Sequence, residues 1–399
     1  MYLSEILNLI GNYKFEDKLI NKITIDSRLV ENNDIFICIN SGYKYVDSAI
    51  KKGAICIICE NDINSDVLTI KVDDTKKVLG ILARYIRSKY NGKVIAITGS
   101  NGKTTTKELL SYILSSKYKV LKNIGTSNNH IGIPNTLLKL NNSYDYVVLE
   151  LGSNHIGEIK YLSDIVNPNI AIITNIGLSH IGNFKSIDNI FKEKMDIVKD
   201  NTILFVNGED KYLKNTNGIK VYSDEYKYKC SIPYLQIDYN LVFKVCEYLK
   251  IDINYIYGII NNFKNCSSRM EFIKNDNITI IDDSYNASYE SVVNGLNSLK
   301  KYTNKLIILG DMLELGEYSN KLHSSLQSII DNLDNYFLIT IGKYTSILNS
   351  NIHLINIDEL INYLYSINYK EYDVIYIKGA HSMKLYSIIP VLKRILQIT

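Results

Sequence analysis

Apolar runs of four to six residues recur along this chain, each closed by glycine, asparagine or a charged residue. Between them, apolar positions fall three and four residues apart. The runs predict buried strands and the spacing between them predicts helices. Strands are expected at Asp34–Ile39 and Ala54–Cys59. Four more are expected at Val94–Ile97, Tyr146–Leu149, Ile170–Ile173 and Ile203–Val206, and a last set at Ile278–Ile281, Leu306–Leu309, Phe337–Ile341 and Val374–Ile377. An amphipathic helix is expected over Thr75–Lys89, and two more over Tyr239–Lys250 and Asn254–Phe263. Strands interleaved with helices imply parallel sheets covered on both faces, so the fold class is α/β.

Punctuation sets the domains. Asn91-Gly92 interrupts the pattern just before the Val94 strand, and a break in the helical pattern follows Phe263. Three units are expected, at residues 1–91, 92–266 and 267–399. A chain of 399 residues is long enough to give each its own core. No internal repeat is evident.

Composition narrows the function. The net charge is +3, from 45 basic and 42 acidic residues that intermingle without a basic block, so nucleic acid is not an expected partner. No apolar run approaches the roughly 18 residues of a membrane span. Glu5 stands early in the chain and no basic leader precedes the first apolar residues, so no secretory signal is read. A soluble, cytoplasmic protein with no membrane partner is expected. Cys56 and Cys59 form a C-x-x-C, but they lie in an apolar strand with no second pair nearby, and they read as buried thiols.

The chemistry concentrates at the ends of the central strands. Val94–Ile97 runs into Thr98-Gly99-Ser100-Asn101-Gly102-Lys103-Thr104-Thr105-Thr106, where a helix begins. A glycine turn between strand and helix lets backbone N–H groups wrap a phosphate at a helix N-terminus. Lys103 is placed to reach the β- and γ-phosphates and the Thr104 hydroxyl to bind Mg²⁺. Gly99 and Gly102 are separated by two residues, where the general nucleotide-binding pattern has four. Ligands bind at strand ends in open α/β sheets. Tyr146–Leu149 ends in Glu150, and Ile170–Ile173 leads through Asn175-Ile176-Gly177 to His180. The segment Asn128-Asn129-His130 lies between the phosphate loop and Tyr146 in sequence. A carboxylate and an imidazole beside a phosphate loop suit a Mg²⁺ and substrate site, Glu150 more than His180 because Mg²⁺ prefers oxygen. A strand cap for Glu150 and a hydrogen-bonded loop histidine for His180 are the plain alternatives.

These residues carry a resemblance. The loop Thr98–Thr106 is similar to the ATP loop of the Mur ligases, the ATP-dependent amide ligases of peptidoglycan precursor synthesis. Asn128–Pro134, Leu149–Ile159, Ile173–Gly177 with Ser179-His180, and Leu309-Gly310-Asp311-Met312-Leu313-Glu314-Leu315-Gly316-Glu317 add to it. The last stretch resembles the members that join D-alanyl-D-alanine to UDP-N-acetylmuramoyl-tripeptide. The similarity runs from about residue 24 to Lys378-Gly379.

The resemblance implies three domains: a small N-terminal α/β domain for the UDP substrate, a central phosphate-loop sheet for ATP, and a Rossmann-like C-terminal ligase domain. It implies ligation through an acyl phosphate, with work in cell-wall synthesis, cell shape and division. It also implies nucleotide-sugar peptide and dipeptide substrates and a monomeric enzyme. Gly99, Ser100, Asn101, Gly102, Lys103, Thr104 and Thr105 are then expected to hold ATP, with Asn240 at its adenine, Arg269 contacting it and Asp283 at its edge. Thr104, Glu150, His180 and Lys194 are expected to hold two Mg²⁺ ions, Lys194 as a carbamate. Lys103, His180 and Lys194 are the expected catalytic residues. Ser27, Arg28, Asn128, Asn129 and Lys378 are expected at the substrates. A solvated helix lysine is the plain alternative for Lys194, and an interdomain ion pair for Arg269 and Asp283.

The chain departs from the family pattern in three places. The Gly42-Tyr43-Lys44 loop is short, with Tyr43 where a histidine is usual. The segment between Val221 and Pro233 lacks the family's extra β structure, and Gln236 stands near a histidine position. Alternative readings are a ligase acting on another carboxylate (folyl-polyglutamate or a different amino-acid polymer), a non-catalytic nucleotide-binding module, and a simple ATPase or kinase.

Overall fold

A computed structural model describes residues 1–398 apart from 12, 14, 266 and 276. Three sheets follow one another along the chain. The first holds β1 (Ile23–Thr24), β2 (Asp34–Ile37), β3 (Ala54–Cys59) and β4 (Leu68–Lys71), side by side in that order and all parallel. Cys56 and Cys59 are buried free thiols in β3.

The second sheet holds β5 (Lys93–Thr98), β6 (Val120–Lys122), β7 (Tyr146–Glu150), β8 (Ile170–Ile173), β9 (Ile203–Asn207) and β10 (Ile219–Val221). Its order is β10-β9-β8-β5-β7-β6, all parallel. The apolar runs build its middle because strands flanked by helices on both faces leave no polar side. The chain runs from β5 out to β6 and back to β7, then crosses β5 to β8 and continues outward on the other side, so a crevice opens beyond the ends of β5, β7 and β8.

The third sheet holds β11 (Glu271–Lys274), β12 (Thr279–Asp282), β13 (Lys305–Gly310), β14 (Tyr336–Ile341), β15 (Ile352–Leu354) and β16 (Val374–Lys378). Its order is β11-β12-β16-β13-β14-β15, with only the edge strand β11 antiparallel. One face joins an apolar core continuous with the other two sheets, and the other packs on helices Ile357–Leu364 and Ile389–Ile395.

The helix expected at Thr75–Lys89 spans Thr75–Ser88, started by Asp74, whose carboxylate accepts from the backbone of Lys76 and Lys77. It packs against helices Gly132–Leu137 and Glu158–Val166, not on the first sheet alone. The buried Arg87 guanidinium fastens it there, donating to the carbonyls of Val166 at 2.8 Å and Asn167 at 2.9 Å. The helix expected from Tyr239 begins at Gln236, because a 3₁₀ turn opened by Pro233 leads straight into it. Among the described residues no helix is long and apolar enough to cross a membrane.

Candidate functional site

The phosphate loop is shaped by two glycines and an asparagine. Gly99 has φ +145°, and a Cβ there would lie 2.0 Å from the Thr174 hydroxyl. Gly102 has φ +80° and precedes helix Lys103–Ser115; a Cβ there would lie 2.5 Å from the Asp238 carboxylate. Only glycine fits either place. Asn175 clamps the loop from the end of β8. Its carbonyl accepts from Ser100 N at 3.0 Å and its Oδ1 from Asn101 N at 2.9 Å.

The Lys103 ammonium donates to the carbonyls of Gly99 at 2.7 Å and Ser100 at 3.0 Å, folded back over its own loop. Burial pushes its pKa down and the nearby Arg269 adds to this, while Glu150 opposes both.

Glu150 ends β7 and is buried. The Thr104 hydroxyl donates to its Oε2 at 2.8 Å and Asn128 Nδ2 donates to its Oε1 at 2.8 Å. Beneath them lies Lys107, fully buried, its ammonium 3.9 Å from Glu150 Oε2 and bonded to the carbonyls of Asn123 (2.9 Å) and Gly125 (2.8 Å). Lys107 therefore ties the 123–125 loop to the carboxylate. Sequence reading passed over it, although its place one helical turn after Lys103 sets it on the same inward face.

His180 follows β8 with φ +59°, and its Nδ1 faces the Glu314 carboxylate of the third domain. That contact draws the Glu314 carboxyl below its ordinary pKa. Lys194, on helix Ile187–Met195, is buried and donates to Ser153 Oγ at 2.8 Å. Burial, helped by the charge of Lys103 and opposed by Glu193 and Glu158, takes its pKa down to about 7. Lys194 is therefore no solvated surface lysine. Its amine is half neutral near pH 7, the form that reacts with CO₂.

A cleft of about 600 Å³ gathers these groups between the second and third sheets. Lys103, Thr104, Asn128, Asn129, Glu150 and His180 line the near wall, and Arg269, Asp283 and Lys378 the far wall. Lys194 lies behind this wall, meeting it through Ser153. The Arg269 guanidinium stacks over Tyr285 at 3.9 Å. Asp283 is paired within the third domain, accepting from Lys378 Nζ at 2.6 Å and from the Tyr376 hydroxyl at 3.1 Å. Burial raises its pKa while Lys378 opposes the rise. Asn129 starts helix Gly132–Leu137, its Oδ1 accepting from Ile131 and Gly132.

Other expected residues sit apart. The Asn240 amide is consumed internally, donating to the Tyr222 carbonyl at 2.7 Å and accepting from Gln236 at 2.8 Å. Ser27 opens a 3₁₀ turn in the first domain, where the exposed Arg28 pairs with Asp26 at 2.7 Å. Among the described residues no three of His, Cys, Asp and Glu converge as a metal cage. The paired oxygens of Thr104 and Glu150 do suit a hard cation.

A phosphate loop backed by a buried carboxylate, facing a second α/β domain across a polar cleft, defines a nucleotide-dependent enzyme that works between domains. The Mur ligase middle domain profile matches residues 97–235 and the Mur ligase glutamate ligase domain profile matches 268–381. The UDP-N-acetylmuramoyl-tripeptide--D-alanyl-D-alanine ligase of Buchnera aphidicola is 30% identical over 94% of this chain and 93% of its own. The chain belongs to the Mur ligase family of ATP-dependent ligases. Its fold is that of MurF from Acinetobacter baumannii (TM-score 0.85, 24% identity, 98% of both chains). It is equally that of the Thermotoga maritima MurF ligase in complex with ADP (TM-score 0.82, 24% identity, 94% of this chain and 98% of that one).

Proposed function

We propose that this protein joins D-alanyl-D-alanine to UDP-N-acetylmuramoyl-tripeptide at the expense of ATP, in the cytoplasm, during peptidoglycan precursor synthesis. The observation that carries the reading is the cleft itself. It sets Lys103, Thr104 and Glu150 on one domain against Arg269 and Lys378 on the other. The name of the Buchnera relative supports the choice of substrates.

A carboxylate resists attack by an amine because oxide is a poor leaving group. Transfer of the γ-phosphoryl group of ATP to a carboxylate oxygen forms an acyl phosphate and releases ADP. The amine then attacks the acyl carbon, the C–N bond forms, phosphate leaves with the former carboxylate oxygen, and the amine's proton goes to solvent. Lys103 is placed to leave its loop carbonyls for the phosphates and to neutralise charge as the phosphoryl group moves. Arg269 supplies a second cation from the facing domain. Closure of the cleft excludes water from the acyl phosphate.

Mg²⁺, when bound, supplies charge neutralisation at the triphosphate, and Thr104 and Glu150 are the residues to hold it. Addition of CO₂ to the neutral Lys194 amine would yield a carbamate and a proton, and the carbamate oxygens would serve with His180 as the residues to hold a second ion. The backbone of 99–102 and Thr105 are assigned to the phosphates and Asp283 to the edge of the nucleotide, while Asn240, its amide taken up by Tyr222 and Gln236, is left without a part at the ligand. Ser27 and Arg28 are assigned to the uridine nucleotide, and Asn128, Asn129 and Lys378 to the reacting ends.

Incubation with ATP, Mg²⁺, UDP-N-acetylmuramoyl-tripeptide and D-Ala-D-Ala should give the condensed pentapeptide by mass, dependent on every component. Absence of that mass alongside condensation of another carboxylate and amine would overturn the substrate assignment.

A further inference from the structure

The histidine at the end of β8 is held by the other domain. His180 and Glu314 are both non-glycine residues in the left-handed region, at φ +59° and +63°. Strained backbone of this kind persists only where its surroundings enforce it, and it gathers at functional sites. Here each strained residue faces the other. The Glu314 carboxylate meets His180 Nδ1, and the Glu314 carbonyl accepts from Gly182 N at 3.0 Å. The two turns touch so closely that a Cβ on Gly182 would lie 2.6 Å from Gly316 N. Further contacts fix the same approach. Leu178 N donates to Glu290 Oε1 at 2.7 Å, and the Tyr318 hydroxyl donates to the Lys185 carbonyl at 3.3 Å.

The Glu314 side chain is half exposed at the cleft, and His180 is its one salt-bridge partner among the described residues. A carboxylate held against one ring nitrogen biases the tautomer and the orientation of an imidazole, leaving the other nitrogen as the acceptor. The Glu314 carboxylate lies against His180 Nδ1, an atom with no hydrogen-bond partner among the described residues, and an anion beside that nitrogen favours the tautomer that carries its proton there and leaves Nε2 free.

We propose that Glu314 is a positioning residue: delivered by the C-terminal domain, its carboxylate sets the tautomer and orientation of His180, so the central domain's imidazole is made ready only when the two domains are closed. The catalytic consequence rests on the ligase reading above; the structural consequence does not.

Nitrogen-15 NMR of the histidine side chains separates the two, with His180 assigned by its loss in His180→Gln. In the wild-type protein His180 should carry its proton on Nδ1. In Glu314→Ala it should lose that preference, and Glu314→Gln, which keeps an acceptor, should largely retain it. In the ligation assay Glu314→Ala should lower kcat about 10- to 100-fold with KM for ATP within about twofold. Glu314→Gln should recover most of that loss, and adding Glu314→Ala to His180→Ala should cost nothing further. Small-angle scattering should show the Ala variant more open. An unchanged His180 signal in Glu314→Ala overturns the positioning role, whether or not the wild type ligates. A changed signal with unaltered kcat in an active enzyme overturns its catalytic part.

Discussion

The Thr104 hydroxyl donates to the buried Glu150 carboxylate at 2.8 Å, joining the first turn after the phosphate loop to the tip of the neighbouring strand. Two oxygens from separate elements are thereby set side by side, a pairing that suits a hard cation. Thr104→Val keeps the shape and removes the oxygen. It should lower kcat/KM for ATP by about 10²-fold or more, as loss of one preorganised polar group does. Thr104→Ser should remain within about tenfold of wild type. Equal activity in the Val variant would remove Thr104 from the site.

Lys103 and Glu150 are the two charged groups that the proposed reaction depends on most. Lys103→Ala and Glu150→Ala should each abolish ATP-dependent product formation while far-UV circular dichroism stays unchanged. Steady-state assays at saturating substrate check this, and near-normal turnover in either variant would release that residue from its role.

Lys194 couples pH to stability. Its pKa is about 7 in the folded protein, against an ordinary lysine value of 10.5. Between those values the unfolded chain binds more protons than the folded one, so stability should rise as pH increases from about 7 toward 10. Lys194→Met should be more stable than wild type at pH 7 and lack that increment, as read from urea midpoints at fixed ionic strength. Carbon-13 NMR in labelled bicarbonate should show a carbamate signal in wild type that Lys194→Met lacks.

Asp283 and Lys378 form a buried pair at 2.6 Å at adjacent strand ends in the third sheet. Asp283→Ala strands a buried ammonium and should cost about 3–5 kcal/mol of stability. The double variant Asp283→Leu/Lys378→Met should recover most of it. Denaturant titration of the single and double variants measures both.

Much of this was legible in the chain. The runs ending at Thr98, Glu150 and Ile173 are buried on both faces, so they read as continuous apolar strands, and the glycine turn after Thr98 announces itself. The third sheet's inner strands were visible for the same reason. Strands β1, β4, β6, β10, β11 and β15 were not, since two to four residues at a sheet edge carry too little pattern. Helix Thr75–Ser88 shows its apolar stripe but not its partner, and only the Arg87 bonds to Val166 and Asn167 reveal that it covers the central layer. The resemblance makes Asn240 a ligand-facing amide, yet here the Tyr222 carbonyl and Gln236 take up its hydrogen bonds. Glu314 lay in a motif read whole, with nothing local to say that its carboxylate turns toward His180.

Transfer of phosphate to a substrate carboxylate leaves a mark that no binding protein, kinase or simple ATPase can imitate. UDP-N-acetylmuramoyl-tripeptide labelled with oxygen-18 in its terminal carboxylate, turned over with ATP, Mg²⁺ and D-Ala-D-Ala, should yield inorganic phosphate carrying one labelled oxygen per amide formed. Unlabelled phosphate, or phosphate released at the same rate without the dipeptide, would contradict the acyl-phosphate ligase described above.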